Sequence, residues 1–155
     1  MHNIHDQGIG IAFLYCNYKE KEVQTTVNLI SSLLQQLTQR RPDVPSRLRL
    51  LYEQHSGRKT RPKLAECSKL LHIELTACSK AFIIVDALDK CDEISRARHD
   101  LINQLLGLPL NTYVMVASRE LPSIEHELRR LCRLSVPVIQ MSGPTSKGAL
   151  NGNLD

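Results

Sequence analysis

The sequence predicts an α/β fold with a mainly parallel sheet and helices on both of its faces. Three short, nearly continuous apolar runs predict strands at residues 10–17, 81–86 and 113–117. The segments between them carry apolar residues at helical spacing, and strands that alternate with helices are typical of parallel sheets. The run that ends at Asp86 is the clearest of the three, so we expect its strand to be central.

A change in apolar spacing marks the first strand and the helix that follows it. Residues 11–15 are apolar at every position, which is typical of a strand that is buried on both faces. From Val23 the apolar residues recur every three or four positions, which predicts a helix to about Arg40. Pro42 and Pro45 end this helix, because proline lacks a backbone donor and restrains the residue before it.

Two further helices are predicted before the second strand. Ser46 is an N-cap residue type for a short helix that ends near Gly57. Pro62 suits the first turn of the next helix, whose apolar residues continue to Leu75. Both helices lie between the first and the second predicted strand.

The carboxyl-terminal part of the chain combines two predicted helices with an irregular end. Residues 94–106 carry a helical pattern that ends at Gly107, and Pro122 opens a last helix that runs toward Leu131. Residues 142–155 are rich in Gly, Ser, Asn and Pro and show no apolar periodicity, which predicts a frayed tail.

The composition predicts one globular domain that needs no disulfide or metal for its stability. The chain has 155 residues, 42% hydrophobic and 23% charged, and these values exclude disordered, collagenous and membrane-spanning classes. Its five cysteines show no CxxC pair and no Cys/His ligand spacing, and no segment has the full architecture of a signal peptide. These observations favour reduced thiols, a cytoplasmic location and no membrane partner.

Basic residues are concentrated in residues 40–63, which carry eight Lys or Arg residues and two acidic residues. We expect these charges to form a solvated helix face and loop. The alternative is a surface that binds phosphates or nucleic acid. An aromatic content of 4% and the lack of a recognisable binding fold disfavour a nucleic-acid partner.

The string FIIVDALDKCDE, residues 82–93, carries the main candidate chemistry. Four apolar residues place Asp86 at the carboxyl end of a strand, where open α/β sheets bind their ligands. In P-loop NTPases an Asp in this position helps to hold Mg²⁺, a cation that prefers oxygen ligands. Taken alone, the pattern leaves a structural interpretation open, because many parallel strands end in this way.

A longer arrangement of motifs resembles the NACHT-type NTPase domain of fungal ankyrin-repeat and related regulatory proteins. It begins with GIGIAFLYCNYKE and LISSLLQQL, continues with FIIVDALDKCDE and closes with YVMVASRELPSI. These motifs follow the order of the family over roughly residues 8–130. The resemblance implies a P-loop NTPase core with three layers, in which a mainly parallel sheet lies between two layers of helices.

The resemblance implies catalytic roles for two carboxylates. Asp86 corresponds to the Walker B Asp that supports Mg²⁺, and Asp89 corresponds to the first acid of the acidic pair that follows it. Lys90 stands where the family usually has Glu, so a carboxylate that could activate water is replaced by a cation. Asp92 and Glu93 are possible substitutes for this missing acid.

The string VMVASRE, residues 114–120, resembles the sensor 1 strand of the family. The resemblance implies that Ser118 and Arg119 bind the nucleotide, with the Arg119 guanidinium beside the terminal phosphate. The alternative for Arg119 is a surface salt bridge with Glu120 or Asp92.

The phosphate cradle of the family, GxxxxGK[ST] between a strand and a helix, does not occur in the sequence. GRKT at residues 57–60 resembles its end, but Tyr52 replaces the first Gly and a predicted helix precedes it. We expect the first strand, the P-loop and the first helix of the core to be missing, through truncation or in a degenerate paralogue. The missing strand is expected beside the strand that ends at Asp86, where its absence would expose apolar surface.

The expected organisation is a lead-in at residues 1–9, a partial NACHT domain at residues 10–133 and an irregular tail at residues 134–155. The complete family domain is a regulatory signalling NTPase that binds ATP or GTP with Mg²⁺, whereas this chain alone is expected neither to bind nor to hydrolyse nucleotide. Its partners would be other NACHT domains, or the repeat and effector modules of a longer protein. The alternatives are a degenerate NACHT paralogue and a non-catalytic protein–protein interaction module built on the helices of residues 23–79.

Overall fold

The computed structural model describes residues 8–39, 45–94 and 96–119, together with residues 123, 124, 126, 127 and 129. In the three continuous ranges the strands are β1 (Ile9–Tyr15), β2 (Lys80–Asp86) and β3 (Thr112–Val116). The helices there are α1 (Thr26–Thr38), α2 (Ser46–Arg58), α3 (Leu64–Thr76) and α4 (Ala97–Leu106), with 3-10 turns at Tyr18–Glu20 and Leu88–Lys90. The predicted tail at residues 134–155, and most of the predicted helix at residues 122–131, lie outside the described residues.

The three strands form a parallel sheet in the order β1-β2-β3. Tyr15 at the end of β1 lies opposite Asp86, and Val85 lies opposite Val116 of β3. The prediction that the strand ending in Asp86 is central is therefore confirmed. The prediction that a missing strand belongs beside β2 is wrong, because β1 and β3 already pair with both edges of β2.

Helices α1, α3 and α4 pack with the sheet around one apolar core. The apolar spacing predicted for α1 places a row of leucine and isoleucine side chains inside, and strand residues such as Ala12, Ile83 and Val85 are 0% exposed. The described residues thus supply the sheet and one helical layer of the α/β fold. In these ranges no helix is both long enough and apolar enough to cross a membrane.

The opposite face of the sheet, here called the bare face, is covered by none of the described helices. Its large side chains are exposed by 39 to 62%, and they are Phe13, Tyr15, Phe82, Tyr113 and Met115. The Phe82 and Tyr113 rings stack with their centroids 5.3 Å apart. The prediction that the strands are buried on both faces is therefore wrong, whereas the predicted exposed apolar surface is present on this face.

Helix ends differ from the predictions around α2. Pro45, not Ser46, is the N-cap residue, and the helix continues past Gly57 until Lys59 adopts a left-handed conformation with φ of 52°. Pro62 lies before the first turn of α3 rather than inside it. The GRKT string, residues 57–60, therefore consists of the last two residues of α2 and the first two of its connection to α3, and it does not follow a strand.

Candidate functional site

The candidate site lies at the carboxyl edge of the sheet, where the chain leaves each strand. The Cys16 amide donates to the Asp86 carbonyl at 3.0 Å, and the Ala117 amide donates to the Val85 carbonyl at 2.8 Å. The Leu88 amide donates back to the Ala117 carbonyl at 3.0 Å. The segments that follow the three strands are therefore joined by backbone hydrogen bonds along this edge.

Asp86 is exposed at the centre of the carboxyl edge. Its Oδ1 atom accepts a hydrogen bond from the Ala87 amide at 2.8 Å, which orients the carboxylate. Ala87 has φ 56° and ψ 43°, a left-handed conformation that costs a non-glycine residue roughly 1 kcal/mol. The side chain of Leu88, 0% exposed, anchors the turn that follows. A strained, anchored turn thus presents one exposed carboxylate to solvent.

A single exposed carboxylate is suited to a Mg²⁺ ion that nucleotide phosphates also bind. Such ions keep several waters and take only one or two protein carboxylates, the other ligands coming from phosphates. No cluster of three or more His, Cys, Asp or Glu side chains suited to a metal occurs within the described parts of the chain. Asp86 would therefore hold Mg²⁺ together with the phosphates, not within an all-protein cage.

Asp89 is bound by two cations. Its side chain is 3% exposed, and Oδ2 accepts a hydrogen bond from Arg119 Nε at 2.6 Å. The Arg119 amide donates to Oδ1 at 3.3 Å, and Lys90 Nζ lies 3.4 Å from Oδ2. Burial is the largest influence and raises the pKa of Asp89, but the hydrogen bonds from Arg119 and Lys90 outweigh it and hold that pKa below its ordinary value.

Arg119 forms an ion pair, although with a partner that the sequence did not indicate. Its partner is Asp89, whereas Asp92 pairs with a lysine and Glu120 lies outside the described residues. The Arg119 side chain is 68% exposed, so solvent reaches the guanidinium beyond its contact with Asp89. The Ser118 hydroxyl donates to the Arg119 carbonyl at 2.9 Å and so helps to fix the backbone at this point.

A family model described as "Nephrocystin 3, N-terminal" matches residues 1–119, which include all three strands and the loops that follow β1 and β2. The chain belongs to the nephrocystin 3 N-terminal family. The matched region ends at Arg119, the residue that pairs with Asp89. Among curated proteins, none matches the chain.

In this member of the nephrocystin 3 N-terminal family, the four predicted site residues meet at one edge of the sheet. Asp89 and Arg119 are in direct contact, Asp86 is the last residue of β2, and Ser118 lies two residues after the end of β3. This contact was not predicted from the sequence, because its partners are 30 positions apart. The signal that could have revealed it is that both residues follow the ends of adjacent parallel strands.

Lys90 and Lys21 connect the loop after β2 to the loop after β1, and neither contact was predicted from the sequence. Lys90 Nζ lies 5.9 Å from the centroid of the Tyr18 ring, within range of a cation–π contact. Lys21 Nζ lies 3.8 Å from Asp92 Oδ1. Lys90 therefore pairs with Asp89 and also contacts the first loop of the edge.

The GRKT string has its own contacts, which belong to the connection between α2 and α3. Thr60 Oγ1 lies 2.7 Å from His55 Nδ1, and His55 Nε2 lies 3.2 Å from Glu66 Oε2. A phosphate cradle needs a glycine-rich loop between a strand and a helix, with its amides turned inward. Residues 57–60 lack that setting, so they are not a candidate for phosphate binding at this edge.

Proposed function

We propose that the chain provides the Walker B and sensor 1 part of a NACHT-type nucleotide-binding domain, as in fungal ankyrin-repeat and related regulatory proteins. The observation that carries the proposal is the position of Asp86 at the end of the central strand, beside the loop that holds Arg119. This edge offers a carboxylate for Mg²⁺ and a guanidinium for phosphate. The proposed ligands are ATP or GTP with Mg²⁺, and membership of the nephrocystin 3 N-terminal family supports the proposal.

The charges around Asp89 favour nucleotide binding over hydrolysis. A general base must accept a proton, and a carboxylate whose pKa is held low by two cations is a weak proton acceptor. Asp89 therefore acts by positioning Arg119, and Asp86 contacts the metal. A regulatory switch that binds nucleotide and turns it over slowly is consistent with this arrangement.

The outer edge of β3 offers the place for the missing phosphate cradle. β3 pairs only with β2 in the described sheet, so every second residue of β3 presents its backbone groups to an open edge. A parallel strand at this edge would end beside Ser118 and Arg119. A GxxxxGK[ST] loop after that strand would then surround phosphates that also reach Asp86.

The handedness of strand connections explains the bare face. β1, β2 and β3 step across the sheet in one direction, and right-handed crossovers then place all their helices on one face. Suppose that a strand lies at the open edge of β3 and is connected through a helix to β1. This connection crosses the sheet in the opposite direction, so a right-handed crossover places its helix on the other face. We propose that such a βα unit, in the same polypeptide or in another molecule, completes the site.

Calorimetry with ATP and GTP, with and without Mg²⁺, tests the proposed function. We expect no binding at micromolar nucleotide for the 155-residue chain, and Mg²⁺-dependent binding once a P-loop-bearing βα unit is joined to it. In the joined protein, Asp86→Ala should weaken binding about tenfold or more, as expected for lost metal support. Glu22→Ala removes an equal charge at an exposed position and should leave binding unchanged. Tight binding without the βα unit, or equal binding by both variants, would contradict the assignment.

Phosphate release tests the role of Lys90 in the joined protein. Lys90→Glu restores the acid of the family pattern, and we expect it to raise turnover more than nucleotide affinity. Lys80→Glu makes the same charge change at the opposite end of β2 and serves as the control. An unchanged turnover in Lys90→Glu would show that the substitution at position 90 does not limit hydrolysis.

A second candidate function is a non-catalytic interaction module that uses α2. This helix has no buried residue, and it exposes Leu50 by 56% and Tyr52 by 71%. Proposed partners are other NACHT domains or repeat and effector modules, met in the cytoplasm, where the free cysteines stay reduced. Replacing Leu50 and Tyr52 with Ser should abolish association with an intact NACHT protein if α2 carries it, without changing nucleotide binding by the joined protein.

A further inference from the structure

His55, Thr60 and Glu66 form a chain of three side-chain contacts where α2 is connected to α3. His55 lies in the last turn of α2, Thr60 lies in the connection, and Glu66 lies in the first turn of α3. Thr60 Oγ1 lies 2.7 Å from His55 Nδ1, and His55 Nε2 lies 3.2 Å from Glu66 Oε2. A hydroxyl, an imidazole and a carboxylate in this order are the groups with which many enzymes activate a nucleophile.

The backbone of the connection holds the hydroxyl against the imidazole. Lys59 follows α2 in a left-handed conformation with φ of 52°, which turns the chain back toward the helix. The Thr60 amide donates to the His55 carbonyl at 3.0 Å, so the main chains of these two residues are bonded as well. The Lys63 amide donates to Glu66 Oε2 at 2.7 Å and so fixes the carboxylate. The end of one helix and the start of the next therefore position all three groups.

The Glu66 carboxylate determines which nitrogen of the neutral imidazole carries the proton. The hydrogen bond from the Lys63 amide holds the pKa of Glu66 below its ordinary value, burial opposes this, and His55 adds to the lowering. An ionised carboxylate only accepts hydrogen bonds, so Nε2 of the neutral imidazole carries the proton. Nδ1 is then the acceptor, and the Thr60 hydroxyl donates to it. His55 is therefore placed to remove the hydroxyl proton of Thr60.

The hydroxyl is accessible, whereas the imidazole is sheltered. Thr60 is exposed, and the His55 side chain is only 16% exposed. Residues 58–63 include four exposed cations, which are Arg58, Lys59, Arg61 and Lys63. Positive charges around an accessible group attract anions. The surroundings of Thr60 therefore favour an anionic reaction partner.

We propose that Thr60 is an acylation site, at which His55 activates the hydroxyl toward an acyl phosphate. Thr60 Oγ1 attacks the acyl carbon, so a C–O bond forms, and His55 Nδ1 takes the hydroxyl proton. The bond between the acyl carbon and the phosphate oxygen breaks, and the imidazolium gives its proton to the leaving phosphate. The products are an ester at Thr60 and inorganic phosphate, with no oxidation or reduction. This site shares no residue with the carboxyl edge of the sheet, so it is tested separately from the proposed nucleotide binding.

Thr76 provides an internal comparison. It is an exposed threonine too, but its hydroxyl donates to the His72 backbone carbonyl at 2.8 Å. A backbone carbonyl is not a base at neutral pH, so it does not activate the hydroxyl. We therefore expect Thr60 to be acylated and Thr76 to stay unmodified.

Incubation of the full 155-residue chain with acetyl phosphate tests the acylation site. Cleavage after glutamate places Thr60 on peptide 54–66 and Thr76 on peptide 75–93, and fragmentation of each peptide in the mass spectrometer locates the acetyl group. We expect an acetyl ester on Thr60 that neutral hydroxylamine removes, because hydroxylamine cleaves esters and leaves acetylated lysine intact. Added salt should slow the reaction, since it screens the attraction between the cations and the anionic donor. A rate that salt does not change would contradict the choice of an acyl phosphate.

Matched variants test the role of the imidazole. His55→Gln should slow formation of the ester about a hundredfold, as expected for a lost general base. His72→Gln removes another histidine, which is exposed on α3, and should leave the rate unchanged. Equal acetylation of Thr60 and Thr76 in the unaltered chain, or equal rates in the two histidine variants, would overturn the proposal. The mapping of the unaltered chain decides this even if a variant fails to fold.

Glu66→Gln separates positioning of the imidazole from capping of α3. Glutamine serves in a capping box as glutamate does, so the free energy of unfolding should stay unchanged. The neutral amide stabilises the imidazolium less than a carboxylate does, so acetylation of Thr60 should slow. If Glu66 only capped the helix, Glu66→Gln would acetylate Thr60 at the rate of the unaltered chain, and the assigned role of Glu66 would be wrong.

Discussion

The two outer strands of the sheet end it in different ways. Along β1, the Gln36 side chain accepts from the Phe13 amide at 3.0 Å and donates to the Phe13 carbonyl at 2.8 Å, as a neighbouring strand would. The Gln24 side chain accepts from the Asn17 amide at 2.9 Å and donates to the Tyr15 carbonyl at 3.0 Å. Along β3, the described residues supply no such side chains.

This difference shows which side of the sheet is complete. Unpaired strand edges promote association with other chains, and natural proteins usually block or cover them. Two glutamine side chains occupy the β1 edge from Phe13 to Asn17, so we expect no further strand to pair there. The open edge of β3 and the bare face around Tyr113 and Met115 are suited to a further strand and a further helix.

Proline substitutions in β3 test whether its outer edge is open. Of the substitutions considered, Met115→Pro should change the free energy of unfolding most. The Ala117 amide donates to Val85 and the Asn111 carbonyl accepts from Ala81, so odd-numbered residues of β3 bond to β2 and even-numbered residues face outward. Met115→Pro should lower the free energy of unfolding by about 3 kcal/mol or more, because it removes a ladder hydrogen bond. Val114→Pro should cost about 1 kcal/mol, because its amide is directed to the open edge.

Urea denaturation measures both proline variants. Similar losses for Met115→Pro and Val114→Pro would mean that the outward amides of β3 are also bonded. The comparison between the two edges of the sheet would then be wrong.

Asp89→Asn tests the ion pair with Arg119, which holds the segment that follows β3. The loss of charged hydrogen bonds with Arg119 should lower the free energy of unfolding by about 1.5–3 kcal/mol at neutral pH. Because the pKa of Asp89 is lower in the folded state, its contribution is complete above about pH 4 and is lost as the pH falls through the folded-state value. Urea unfolding at pH 7 and pH 3 should show a smaller acid effect in Asp89→Asn than in Glu22→Gln, an exposed control.

Gln36→Ala tests the closed edge. It removes two hydrogen bonds to Phe13, so the free energy of unfolding should fall by about 1–2 kcal/mol. Gln35→Ala makes the same chemical change at the adjacent, exposed helix position and should have almost no effect in the same denaturation experiment. Equal effects of the two substitutions would show that the Gln36 side chain does not support β1.

Met115→Lys tests the bare face and should change stability least, within about 0.5 kcal/mol, because Met115 is 60% exposed. We expect the average mass of the unaltered chain in light scattering to rise with concentration, since apolar surface promotes association. Met115→Lys should reduce this rise, whereas Leu110→Lys, at an exposed leucine outside the strands, should not. A concentration-independent monomer for the unaltered chain would contradict the prediction.

The strands could be predicted from sequence because continuous apolar runs are a local signal. Which faces of the strands are covered could not, because Phe13 and Met115 are as apolar as the buried Ile83, and burial depends on what packs against them. The position of the open edge was predicted beside β2, since apolar content does not specify the order of strands in a sheet. The Asp89–Arg119 pair was missed for a similar reason, because only the parallel arrangement brings the two residues together.

Because the Gln36 side chain occupies the edge of β1, it limits how many copies of the chain can associate through their sheet edges. A sheet with two open edges can add copies at both ends and grow into a fibre, whereas a sheet with one open edge has a valence of one. Edge-to-edge association of this chain should therefore stop at a dimer. When a strand occupies the edge of β3 the valence falls to zero, so the fraction of dimer measures how many molecules still have an incomplete sheet.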